Sequence, residues 1–112
     1  MAVNVLTGDP SGLLKSLKEA IRAKNIETWS VDSDGDFTHT ANQWVNKAWL
    51  RPSIQQDRLV FTILKPQGKD ISTVVYGMYH GRFIEMLLNH FDSKFTQVYA
   101  TALPDYGDVV SD

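Results

Sequence analysis

Tyr79, His80, Arg82 and Glu85 place a phenol, an imidazole, a guanidinium and a carboxylate within seven residues. Such a set could hold a small molecule or an anion. The guanidinium offers a fork of N–H donors, and the imidazole donates or accepts near neutral pH. Gly77 and Gly81 stand beside them and would let a ligand or another backbone approach closely. A simpler use exists, because Arg82 and Glu85 are three apart and can pair with each other on a helix. No Ser–His–Asp order, paired-acid spacing, phosphate-cradling glycine loop or nucleophile elbow accompanies the set, so no catalytic residue is assigned.

Asp32-Ser33-Asp34-Gly35-Asp36 has the alternating carboxylates and glycine of a calcium loop fragment. Its register fails. A loop starting at Asp32 sets Phe37 where the glycine is needed and Gln43 where the closing glutamate belongs. A turn about Asp34-Gly35 is the expected use, and no metal site is assigned. His39, His80 and His90 show no metal-ligand spacing. There is no cysteine, which removes thiolate chemistry, disulfides and zinc sites built on thiolates. No cofactor is expected.

The aromatic residues carry a different message. Trp29, Trp44, Trp49, Tyr76, Tyr79 and Tyr99 exceed what a minimal core of this size requires. Trp44, Trp49, Arg51 and Tyr76 are the candidate partner-binding residues, since tryptophan, tyrosine and arginine dominate interface hot spots.

These side chains must be positioned by one domain, since 112 residues is close to the commonest domain size. A net charge of −2 gives no drive toward nucleic acid or an anionic membrane. The N-terminus lacks a cationic start and a long apolar run, and no stretch is long enough for a membrane span, so a cytoplasmic protein is expected.

In chain order, Val3 and Val5 suit a short edge strand or an arm. Asp9-Pro10 starts a helix, with Asp9 as N-cap and Pro10 in the first turn. Its apolar stripe is Leu13, Leu14, Leu17, Ala20 and Ile21. Residues 26–40 read as a hairpin. A three-residue loop at 33–35, with Gly35 left-handed, sets Val31 opposite Phe37 and Trp29 opposite His39. That register gathers Trp29, Val31 and Phe37 on one side, and places Thr28, Ser30, Thr38 and Thr40 on the other.

Residues 41–50 suit either a helix or a strand. A strand over 47–51, ended by Pro52 and paired with 58–64, agrees better with a meander. Arg58–Leu64 is a strand with Leu59, Phe61 and Ile63 on one side, and Val60 and Leu64 on the other. Ile71–Tyr79, rich in β-branched and aromatic residues, reads as its partner strand. A helix then runs from Arg82 to Phe91, carrying Phe83, Ile84, Leu87, Leu88 and Phe91 on one face. A last strand covers 95–100, and 104–112 is an acidic tail expected to be mobile.

The fold class expected is α+β: an antiparallel sheet of five to six strands with two helices packed on it. In architecture alone the order resembles the small acidic dimeric chaperones of secretion systems. Strands apolar on both faces need covering twice, so the expected function is a non-enzymatic protein-interaction module of the chaperone, adaptor or inhibitor/immunity type. Its partner would be another protein or a second copy of the chain. The competing expectation is a small-molecule or anion site at Tyr79, His80, Arg82 and Glu85.

Overall fold

The structure is a computed structural model and describes residues 2–103 and 108–109. It has six strands, β1 (Ala2–Leu6), β2 (Trp29–Val31), β3 (Phe37–His39), β4 (Trp49–Ile54), β5 (Arg58–Leu64) and β6 (Gln97–Ala100). Two α-helices accompany them, α1 (Pro10–Arg22) and α2 (Thr73–Phe91), and a short 3-10 turn, Asp92–Lys94, follows α2. All strand pairings are antiparallel, in one sheet of order β2-β3-β4-β5-β1-β6. The α+β class, the six-stranded antiparallel sheet and the helix–strands–helix–strand order expected from the sequence are therefore present.

The hairpin register is the expected one. Trp29 faces His39, Val31 faces Phe37, and Gly35 closes the loop at φ +84°, where a Cβ would be strained. The Asp9 carboxylate accepts the Gly12 N–H and caps α1, which buries Leu13, Leu14, Leu17 and Ile21. β4 pairs with β5 as expected, but it runs through Pro52 rather than stopping there. A proline is tolerated because β3 pairs with β4 only at Leu50, which leaves the strand edge open beyond it. Residues 42–46 form turns instead of extending the strand or making a helix.

Two expectations are corrected. No strand occupies 71–79, because α2 already begins at Thr73, capped by Ser72 Oγ, which accepts the Val75 N–H. Val75, Tyr79, Phe83, Leu87 and Phe91 recur every fourth residue, and this stripe outweighs the local preference of β-branched residues for strand. The stripe is also rotated from the expected face: Tyr79 and Met86 are buried, whereas Leu88 is 49% exposed. The second correction is β1, which is neither an arm nor an edge. It lies between β5 and β6, with Val3 and Val5 fully buried.

Strand alternation and register place Val3, Val5, Phe37, Leu50, Leu59, Phe61 and Ile63 on one face of the sheet. They form one core with the buried residues of both helices, so both helices lie on this face. The opposite face contributes nothing to that core. Val60 and Leu64 do point that way, but Val60 sits between Asn4 and Ser53, and Thr62 between Ala2 and Arg51. The second face is thus mixed in character, and its central residues Ala2, Asn4, Val60 and Thr62 are already buried within the subunit.

The expected mobile tail falls mostly outside the described residues. Of it, Asp108 accepts the Ile63 N–H through Oδ1, and Val109 forms a parallel bridge to Leu64.

Candidate functional site

The four residues of the candidate ligand set are distributed by α2 to different environments. All lie well inside the helix, so the free N–H groups of a first turn, which would favour an anion, are not beside them. Tyr79 is fully buried, and its hydroxyl donates to the Trp44 carbonyl and lies 3.1 Å from Thr38 Oγ1. Thr38, on the side of β3 opposite Phe37, is buried because the 41–47 turn closes over it: Asn46 N–H donates to its Oγ1, which donates in turn to the Ala48 carbonyl. His80 is also buried, with Nδ1 2.7 Å from the Tyr76 carbonyl and Nε2 left without a hydrogen-bond partner. A carbonyl only accepts, so Nδ1 carries the proton.

Arg82 and Glu85 make the expected i,i+3 ion pair at 3.2 Å, and both side chains are more than half exposed. They are brought to a site the sequence did not disclose. A cleft of about 290 Å3 lies between the second half of α2, the end of the β2–β3 hairpin and the turn after it, lined by His39, Trp44, Arg82, Glu85, Asn89 and His90 among others. Its volume sits just under the usual range for ligand pockets.

His39 is the residue best held in this cleft. It is buried, its ring stands edge-on to Trp29 at 5.1 Å, and its Nδ1 accepts the Ala41 N–H. Accepting at Nδ1 places the proton of the neutral ring on Nε2. His39 lines the cleft, and among the described residues its Nε2 has no hydrogen-bond partner. Burial pushes the His39 imidazole below its usual range, and the nearby charge of Arg82 adds to the effect.

A folded-state value below the unfolded 6.5 means that the unfolded chain binds the proton more readily. The stability His39 contributes is complete above pH 6.5 and is lost as the pH falls below it toward the folded value. Thermal melts should show a lower midpoint on acidification through this window, and His39→Gln should remove part of that fall. Equal pH slopes for the two proteins would show that His39 is not held neutral.

The four candidate partner-binding residues are not gathered in one patch. Trp44 walls the cleft, and Tyr76 sits near the start of α2 with its hydroxyl 3.5 Å from the Ala102 carbonyl. Trp49 and Arg51 lie on the helix-free side of β4, opposite Leu64 and Thr62. The Arg51 guanidinium binds both carboxylate oxygens of Asp36, at 3.0 and 2.8 Å.

Carboxylate oxygens of Asp32, Asp34 and Asp36 lie within 4.8 Å of one another. They are largely engaged: Asp36 by Arg51, and Asp32 Oδ1 by the N–H groups of Asp34 and Asp36. The acids thus serve the turn, as the Asp-Gly signal implied.

Sequence reading missed the outer side of α2. Val74 is 66% exposed and Leu88 49%, Ile84 is half-buried, and Gly77 and Gly81 lie exposed between them. A glycine inside a helix costs about 1 kcal/mol relative to alanine. Neither glycine has positive φ, and a Cβ added at either would meet nothing within 4 Å. Nothing among the described residues therefore calls for glycine at 77 or 81. No helix among the described residues is long and apolar enough to cross a membrane.

No family model, no curated protein and no solved structure matches this chain.

Proposed function

We propose that this chain is a small protein-interaction module of the chaperone, adaptor or inhibitor/immunity type, and that it acts through the outer side of α2. The observation that carries the reading is the apolar character of that side. The solvent face of a surface helix is normally polar, whereas here Val74 and Leu88 are exposed on it with Gly77 and Gly81 between them, beside the Arg82–Glu85 pair. The partner is another protein or a second copy of the chain, and no catalysis is required of it.

Sedimentation of the purified chain at about 100 µM, a concentration suited to small reversible interfaces, tests this. A species heavier than the 12.6 kDa monomer is expected, with its dissociation constant raised at least about tenfold by Leu88→Lys. A lysine near the helix end suits the negative pole of the dipole, so loss of association would not reflect loss of helix. A strict monomer that binds an apolar fluorescent dye, and loses it in Leu88→Lys, assigns the face to a different protein. A strict monomer that binds no dye overturns the reading.

A second reading, a small-anion site in the cleft, is favoured by His39, whose neutral ring carries its proton on Nε2, and Arg82 both lining it. A carboxylate or phosphate seated there would favour protonated His39 and reduce the loss of stability in acid. Melts repeated with inorganic phosphate test it. An unchanged pH slope excludes an anion at that position.

A further inference from the structure

We infer that the open edge of β2 takes an acidic, extended segment of another protein, which adds a strand to the sheet beside the end of α1. This surface is separate from the outer side of α2 and rests on different observations.

β2 lies at one end of the sheet and pairs only with β3 among the described residues. Which of its main-chain groups stay open follows from the ladder. The Thr40 N–H donates to the Thr28 carbonyl, and the Asp32 N–H donates to the Asp36 carbonyl. Hydrogen-bonded pairs alternate along an antiparallel ladder, so residues 28, 30 and 32 turn their main-chain groups toward β3. The N–H and C=O groups of Trp29 and Val31 then point away from it, and no described residue pairs with them. An outward row of this kind is a template for an added strand.

A groove of about 470 Å3 runs beside this edge, between β2 and the end of α1. Buried Ile21, Ile26 and Trp29 line it together with half-buried Val31. A residue of the added strand opposite Trp29 or Val31 would share their face of the sheet. Its side chain would therefore enter the groove, which is apolar there, while its main chain bonds to β2.

Charge selects the partner. Arg22 and Lys24 are exposed where they line the groove, with Glu27 as the acid beside them. Arg22 also lines a hollow along α1 that holds Lys15, Lys18 and Glu19, so the bases continue from the edge along the helix. Lys18 reaches the β2–β3 loop, its Nζ 3.2 Å from where a Cβ on Gly35 would lie. None of these four bases forms an ion pair with a described residue. A strand carrying carboxylates on either side of its apolar residue complements them. A second copy is disfavoured. Paired edge to edge about a two-fold axis, it would keep both α1 helices on one face of the joined sheet and bring basic helix toward basic helix.

The probe is the blocked peptide Asp-Val-Asp-Val-Asp-Val-Asp, titrated at low salt into the isotope-labelled full chain and followed by amide resonances. The Trp29 and Val31 signals should move and their hydrogen exchange slow, with a dissociation constant below about 1 mM. The same peptide with lysine for aspartate should bind at least about tenfold more weakly, and salt should weaken the acidic one. N-methylation of the valines keeps the charge but removes the donors that face β2, and should abolish binding. Val31→Pro removes an outward N–H and no bond to β3, so it should abolish binding with little change in melting midpoint. Leu88→Lys should leave binding unchanged, which separates this edge from the outer side of α2. No binding of the acidic peptide at about 1 mM, or binding that the N-methylated peptide retains, overturns the inference and leaves the α2 reading standing. Trp29 and Val31 signals that move with protein concentration alone would assign the edge to a second copy, and overturn it equally.

Discussion

Phe83→Ala should destabilise this protein by about 3–5 kcal/mol, the usual cost of truncating a buried phenylalanine. The site gives grounds for the upper part of that range. Phe83 is fully buried, and its ring centroid lies 4.6 Å from Phe61, 5.1 Å from Trp29 and 5.7 Å from Phe37. Those three rings belong to β5, β2 and β3, so one side chain of α2 ties the helix to strands at both the edge and the middle of the sheet. The hole left by alanine would be walled by side chains on rigid strands, which cannot collapse into it without breaking ladder hydrogen bonds. A small domain has about 5–15 kcal/mol in total, so the variant should be marginally folded. Urea unfolding followed by tryptophan fluorescence measures it. A loss below about 1 kcal/mol, less than one buried methyl pair is worth, would mean that α2 does not depend on this aromatic cluster.

The same cluster shows what could be read from the chain and what could not. The β2–β3 register was legible because two local facts agreed: Asp34-Gly35 marks the turn, and only a three-residue loop gathers Trp29, Val31 and Phe37 on one side. α1 was legible from its cap and stripe, and β5 from an apolar run of strand length. By contrast, 71–79 contains Val74, Val75 and Tyr76, whose local preference for strand is real. Only the recurrence of Val75, Tyr79 and Phe83 at every fourth position, read together with the residues that follow, shows a helix.

The place of β1 was beyond local reading, because nothing near Val3 and Val5 indicates that β5 and β6, more than fifty residues away, close on both sides of them. The cleft was hidden for the same reason. His39 was expected beside an indole and is found there, but Arg82 and Glu85 reach it only because α2 crosses the hairpin. The outer side of α2 could have been found. Its spacing is in the sequence, but it was obscured by dividing 71–91 between a strand and a helix.

Arg51 and Asp36 give the second large effect, and its value lies in an asymmetry. The Asp36 side chain is 6% exposed and that of Arg51 is 53% exposed, although they share two hydrogen bonds. Removing the arginine strands a nearly buried carboxylate, whereas removing the carboxylate leaves a guanidinium that water already reaches. Breaking a fully buried pair by deleting one partner costs about 3–5 kcal/mol. With Arg51 half in solvent, water can partly replace it, which brings the expectation for Arg51→Met to about 2–3 kcal/mol. Asp36→Asn should cost less than about 1 kcal/mol, since an amide can still be hydrogen-bonded at the head of β3 and the freed Arg51 stays hydrated. The double variant should then be more stable than Arg51→Met alone, because no unpaired carboxylate remains. Urea midpoints for the three proteins decide the matter. If Asp36→Asn proves the costlier single change, the pair is held together by the demands of the arginine, and Arg51 anchors β4 to the hairpin through its own packing rather than by serving a carboxylate that water cannot reach.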